Sequence, residues 1–456
     1  MKLRQGILFA ATLGAIALMP AAAQAKDTTL EVCPSGCDYT QIQEAVDAVK
    51  DGSTTTIEVG EGEYSEPTII TGQKRSGLTI KNAPGATPEI IGPGFKRKGG
   101  YGDGTNGIEA INLSHIKVKG LYIADWPLNG VYIHATPGHK CVGFEMSHME
   151  ASFNRSYGLF ALHCMGGRIV NSEAYGHGDS GIYIGETPPQ KPNKRKWTEI
   201  AHNDVHENVL GYSGTNSKYV DIHDNDFYNN GAGVVPNTLQ SELFQPNKDG
   251  IIRHNNIFWN NYNYYFPESP VQSVSGGLGE IPEDLGGGTI YYPTGAGVVL
   301  FGSNGWVVKN NEIFGNFRWG VMLVSDPFNP EAMSQNNKVL NNSMSLNGTD
   351  TNRQDFWADG SGRFNCFEGN TAGAGTLTFG FDPGTDETME SLYPTCPAPA
   401  PPASGTGQPG GDFDQVFDDL VPYVTSDPPC AQETMWTKHS HPAFDGKTPV
   451  ELTGTC

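Results

Sequence analysis

The sequence predicts an all-β coil of short parallel strands, three to a turn, on three observations. A glycine that precedes an alternating apolar run recurs at a near-constant spacing, further short β-rich runs follow each such glycine, and the middle of the chain has no amphipathic run of helical length. Only a coil brings residues spaced in this way back to the same face.

The elements follow in chain order. Lys2 and Arg4, the apolar run from Ile7 to Met19 and then Ala23-Gln24-Ala25 have the form of a secretory signal, so residues 1–25 are expected to be removed and the mature chain to start at Lys26. Without Lys2 and Arg4 the chain keeps 27 basic against 50 acidic residues, a balance that repels phosphate backbones and argues against nucleic acid as a partner. No later stretch is apolar for long enough to span a bilayer, so an extracellular or periplasmic location is expected.

All eight cysteines lie beyond the signal, and an even count in an exported chain favours disulfides. Cys33-Pro-Ser-Gly-Cys37 reads as a local bridge rather than half a zinc site, since no second ligand pair stands at the right distance. Cys366 with Cys396 and Cys430 with Cys456 are plausible further pairs, although spacing does not fix connectivity.

From Tyr39 to Lys50, Ile42, Ala45, Val46 and Val49 share one helical face, so a helix is expected there, placed to cap the first turn of the coil. The repeat then runs through Gly107, Gly130, Gly158, Gly181, Gly211, Gly233, Gly297 and Gly320, separated by 23, 28, 23, 30, 22, 64 and 23 residues. Each turn adds a second strand, such as Ile116-Lys-Val-Lys or Tyr219-Val-Asp-Ile, and often a third, such as Gly120-Leu-Tyr-Ile. A repeat domain over residues 26–372 is therefore expected. Residues 373–456 read as a Pro/Gly-rich linker and a disulfide-containing tail.

The opening Val32-Cys-Pro-Ser-Gly-Cys-Asp-Tyr-Thr-Gln-Ile-Gln-Glu-Ala-Val-Asp-Ala-Val, then Ile57-Glu-Val-Gly-Glu-Gly-Glu-Tyr, then the glycine-phased rungs, resemble secreted bacterial right-handed parallel β-helix repeat proteins of the pectin-lyase-like superfamily. Gly178-Asp-Ser-Gly-Ile-Tyr-Ile-Gly-Glu-Thr-Pro-Pro-Gln resembles a more specific, largely uncharacterised branch. The resemblance implies a right-handed parallel β-helix of three sheets. It implies little about activity, because that scaffold hosts lyases, hydrolases, epimerases and adhesins.

The glycine phasing also maps the faces. The first and third residues after each glycine are apolar or small and point inward, and the second points outward. Down the outward column run Glu109, Tyr132, Phe160, Tyr183, Ser213, Val235, Val299 and Met322. Tyr132, Phe160 and Tyr183 would make a continuous aromatic ladder on which sugar rings can stack, unless a loop covers it and turns it into a satellite core.

His177 and Asp179 bracket Gly178 just before Tyr183, so a base, a carboxylate and a phenol can converge at one end of that ladder, unless the segment is simply a turn. Gly176-His177-Gly178 echoes the G-H-G of polygalacturonases, but no N-T-D, D-D or R-I-K motif accompanies it in order. The one basic run, Lys191-Pro-Asn-Lys194-Arg195-Lys196-Trp197, can grip an anionic polysaccharide or be ordinary solvated surface. His177, Asp179, Tyr183 and Arg195 are the candidate catalytic residues, and Tyr132, Phe160, Lys194 and Lys196 the candidate substrate contacts.

Asp221-Ile-His223-Asp224-Asn-Asp226 and His202-Asn-Asp-Val-His206 offer metal-ligating types, and calcium suits oxygen-rich turns, but the spacing matches no EF-hand or zincin. Repeated Asp and Asn satisfy backbone amides at turns more simply, as the pairs Asn229-Asn230, Asn260-Asn261, Asn310-Asn311 and Asn341-Asn342 suggest. The expectation is no metal and no cofactor. The function expected is a secreted carbohydrate-active enzyme, a lyase, epimerase or hydrolase acting on a polysaccharide, an anionic one among the candidates. The alternative is a non-catalytic polysaccharide binder or adhesin.

Overall fold

The computed structural model describes residues 27–50, 54–72, 75–94, 104–262, 264, 279–281, 288–290, 294–326, 332–346, 348, 350–372, 376–378, 395–397 and 410–411. The expected signal segment and nearly all of the tail, with Cys430 and Cys456, lie outside these residues. The described chain is a right-handed parallel β-helix of three sheets, with twelve, nine and ten strands. We call them sheets 1, 2 and 3, in the order in which each turn visits them. One turn shows the plan: Cys141–Ser147 in sheet 1, Glu150–Ser152 in sheet 2 and Leu159–Leu162 in sheet 3.

The coil starts earlier than the glycine phasing suggests. Thr28–Val32 is already a strand of sheet 1, paired in parallel with Thr55–Val59. The expected helix is shorter than its apolar stripe and spans Ile42–Ala48, because the chain turns extended at Val49. It buries Ile42, Ala45 and Val46 and packs against the strands Thr28–Val32, Thr55–Val59 and Thr68–Thr71. At its start, Glu44 Oε2 accepts the Gln41 N–H at 3.2 Å.

Inward residues such as Ile108, Val131, Leu159, Ile182 and Val234 stack from rung to rung in one continuous core. The phasing glycines have a packing reason. A Cβ at Gly130 would meet Asn154 Nδ2 and Gly158 O, each at 2.8 Å, so that corner admits no side chain. The 64-residue spacing proves to be a single turn of the coil, since Ala232–Asn237 pairs directly with Ala296–Phe301. The excess lies in insertions, one of which carries the antiparallel hairpin Gly279–Ile281 and Gly288–Ile290.

Two internal ladders of side-chain amides close the corners. At the turn from sheet 1 to sheet 2 the members are Ser172, Asn203, Asn225, Asn255, Asn311, Asn342 and Asn370, the backbone N–H of each of the first six donating to the Asn Oδ1 of the next rung at about 3.0 Å. At the turn from sheet 2 to sheet 3 they are Asn154, His177, Asn208, Asn230, Asn260, Asn316 and Asn352. A residue with positive φ precedes many of them, as at His202, Asp224, Asn229 and Trp259, and turns the chain between sheets.

Candidate functional site

The outer face of sheet 3 gathers most of the chemistry. Parallel pairing in register sets Glu109, Tyr132, Phe160, Tyr183, Ser213 and Val235 side by side on consecutive strands, as the glycine phasing requires. Tyr132 stacks on Phe160 at 4.4 Å between ring centres, and Phe160 meets Tyr183 edge-on at 4.7 Å. Tyr157 leans against both Phe160 and Tyr183. Phe160 and Tyr183 are buried, and Tyr132 is half-buried.

Two carboxylate–histidine pairs frame this ladder. His134, two residues after Tyr132 and so on the same face, stacks on its ring at 4.1 Å and bonds Glu109 Oε1 at 2.8 Å. Asn106 donates to the other oxygen of Glu109 at 2.9 Å. The bond to His134 outweighs burial and holds the Glu109 carboxyl below its ordinary range, so it is charged at neutral pH.

In the second pair, His163 Nδ1 lies 2.8 Å from Ala135 O and must carry a proton, while Nε2 lies 2.8 Å from Glu186 Oε2. The bond to Glu186 raises the imidazole above its usual value despite burial, which makes the pair an ion pair. Glu186 also accepts the Leu243 N–H at 3.1 Å and is hydrogen-bonded to Glu242. The segment that carries Glu242 is itself fixed, since Asn216 Nδ2 donates to Leu239 O and to Leu243 O at 3.0 Å each.

Burial, together with the neighbouring Glu186, lifts the Glu242 carboxyl to about 7, so near neutrality it keeps a proton that it can give up. Burial and the charges of Glu109, Glu186 and Glu242 raise the Tyr132 phenol, which therefore stays neutral. Burial, then Glu242, does the same for Tyr183. The face thus offers a protonated carboxyl, two charged carboxylates, an imidazolium and two neutral phenols beside an aromatic ladder whose Phe160 and Tyr183 rings are covered.

The structure divides the residues singled out from the sequence. Tyr132, Phe160 and Tyr183 lie on this face. Asp179 lies at its edge, where its charge bears on Tyr183 and Glu242 and Ser180 Oγ donates to its carboxylate at 2.8 Å. His177 points the other way, into the coil, where it is fully buried.

His177 takes the place of an asparagine in the second ladder: Nδ1 accepts the Asn154 N–H at 3.1 Å and Nε2 reaches Ala151 O at 3.2 Å. The next member does the same through Asn208 Nδ2 to Ala174 O. Burial depresses the imidazole to about 3, and both nitrogens are committed to backbone, so His177 has no free atom for a substrate.

Lys194, Arg195 and Lys196 are exposed, and the contacts of their loop are with sheet 1 rather than with the aromatic ladder. Arg195 sits 4.8 Å above the ring of Tyr219, which leads into the sheet 1 strand Val220–His223, and the Lys196 stem lies beside Gly166. His134, His163, Glu186 and Glu242 were missed. His134 was within reach of sequence reasoning, because two residues beyond an outward position is again outward. Glu242 was not, because it comes from an aperiodic insertion.

No family profile matches the chain, and no curated protein matches it. Among solved structures, the pectate lyase Pel9A aligns over 86% of this chain and 89% of its own, at 14% identity and a TM-score of 0.43. A mutant of the periplasmic alginate epimerase AlgG aligns over 75% and 83%, at 12% and 0.42. An alginate lyase from Paenibacillus aligns over 77% and 97%, at 12% and 0.40. At these identities the likeness is one of fold.

Proposed function

We propose that the protein is a polysaccharide-cleaving enzyme that works along the outer face of sheet 3, with Glu242 as the acid that protonates the leaving glycosidic oxygen. The observation that carries this reading is the pinned arrangement of His163, Glu186 and Glu242 beside Tyr132. Glu186 is held between an imidazole at 2.8 Å and a backbone N–H at 3.1 Å, with Glu242 bonded to it. A carboxyl whose proton is retained near neutral pH is what cleavage of an acetal requires. A sheet face that only binds sugar needs the rings and not this relay.

Tyr132, half-buried with His134 and Phe160 on its two faces, offers its ring edge to a sugar, buried Phe160 and Tyr183 back it, and Asp179 lies at the end. Glu109, Asp179 and Glu186 make the face acidic even while Glu242 keeps its proton, and the basic run lies on sheet 1. We therefore read the substrate as a neutral or amino-sugar polymer in preference to a uronate. Disulfides persist in oxidising compartments, and Cys33–Cys37, Cys141–Cys164 and Cys366–Cys396 are formed, which supports the extracellular or periplasmic location.

A panel of neutral, amino-sugar and uronate polysaccharides tests the reading, scored by new reducing ends and by absorbance of unsaturated uronates. Reducing ends from a neutral or amino-sugar polymer, lost in Glu242→Gln, are the expected result. Unsaturated uronates would make the protein a lyase. Retention of a polymer with no product, weakened by Tyr132→Ala, would make it a binder.

A further inference from the structure

The outer face of sheet 2 carries a second cluster that the reading above does not use. Pairing in register puts Glu150, Glu173, Asp204 and Asp226 side by side on four consecutive strands. At a strand spacing of about 4.8 Å, carboxylates directly opposite one another repel and call for a counter-charge. In the neighbouring column, His206 is sandwiched nearly parallel between Tyr175 at 5.1 Å and Tyr228 at 4.9 Å, which fixes the plane of its ring.

Three features turn this column into a site. One ligand atom from each of Glu173, Asp204 and His206 lies within 4.8 Å of the others. The His206 side chain is wholly buried, with Nε2 at 3.0 Å from Glu173 Oε1 and Nδ1 facing Glu207 Oε1 at 3.5 Å, outside hydrogen-bond geometry. Asp204 is bonded by the Tyr228 hydroxyl, yet its Oδ1 is sealed from solvent and has no hydrogen-bond partner. A buried carboxylate oxygen left in this state is costly unless something occupies the space before it.

We propose that Glu173, Asp204 and His206 bind a divalent transition-metal ion, with zinc as the best fit. An imidazole nitrogen with two carboxylates is a borderline donor set, whereas calcium and magnesium take oxygen alone. Ligands about 2.0–2.2 Å from a tetrahedral zinc stand about 3.3 Å apart. The 3.0 Å between His206 Nε2 and Glu173 Oε1 is close to that, so an ion can replace the shared proton with little movement. The unpartnered Asp204 Oδ1 then becomes a ligand.

The surroundings fit as well. The Tyr228 hydroxyl on Asp204 is an outer partner of the kind that orients a metal-bound carboxylate, and Glu207, 3.5 Å behind Nδ1, needs only a small shift to do the same for the imidazole. Three protein ligands leave a fourth position, and Glu173 and Asp204 line an open groove of about 560 Å³ with Glu150 and His202, through which water or a ligand can reach it. The ion's charge relieves the repulsion along the carboxylate column. This departs from the expectation of a metal-free chain, because convergence across two rungs brings in Glu173, which no local spacing shows.

The test is a titration of the full chain, stripped with chelator and dialysed, with zinc chloride alone, followed by calorimetry and by melting. One zinc per chain and a higher Tm are expected, with no comparable binding of calcium. Asp204→Asn and Glu173→Gln should each abolish stoichiometric binding. Tyr228→Phe, which keeps the ring stack, should weaken it about tenfold while circular dichroism stays unchanged. Absence of stoichiometric zinc binding, calcium bound in its place, or zinc binding unaltered in Glu173→Gln and Tyr228→Phe would overturn the proposal.

Discussion

His177 shows how little a residue's chemical type says until its direction is known. Its ring nitrogens reproduce the contacts of a ladder asparagine, accepting from Asn154 N–H and reaching Ala151 O. His177→Asn should therefore preserve melting, and any activity, near the wild-type level. His177→Ala leaves two buried backbone groups unpaired and should cost about 1–3 kcal/mol in denaturant unfolding. Loss of activity in His177→Asn with melting unchanged would restore it as a catalytic candidate. Glu242 is the opposite case, an unremarkable glutamate made an acid by burial and then by the neighbouring Glu186. Because its proton is retained up to about 7, turnover should fall as pH rises through that value. Glu242→Gln should lower turnover about 10²- to 10⁴-fold and flatten that limb of the profile.

Among the elements, the helix Ile42–Ala48 was legible because its stripe is local, and only its ends moved, where Val49 turns extended. Val46 is 1% exposed, so Val46→Asp should lower stability by several kcal/mol, read as a drop in Tm. An unchanged Tm would mean that this face does not hold the helix to the coil, and with it the capping role expected for the helix would fall. The basic loop was equally visible in sequence, but its bearing was not, since Arg195 reaches Tyr219 beside sheet 1. Replacing Lys194, Arg195 and Lys196 with serine should leave polysaccharide retention unchanged and cost no more than about 1 kcal/mol of stability. Weaker retention in a binding assay would return the loop to the substrate site.

Over the whole molecule, stability is distributed along a repeat, because each rung touches mainly its neighbours and the core is one continuous column. The Cys141–Cys164 bridge ties adjacent sheet 1 strands in the middle of that column. Cys141→Ala with Cys164→Ala should cost about 3 kcal/mol and make melting indifferent to reductant at this position. The sequence by itself determined the coil, its three strands per turn, the inward and outward columns and the aromatic ladder. All of these rest on fixed periods, two along a strand and 22 or 23 along the coil, that the residues must obey wherever the chain goes. Only the tertiary structure decided which acids and bases meet: that His177 faces the core, that Glu242 arrives from an insertion to join Glu186, and that Glu173 stands beside Asp204 and His206. Each of these meetings joins residues about 30 or more positions apart, or turns on the direction of one corner, and neither is a property of any local spacing.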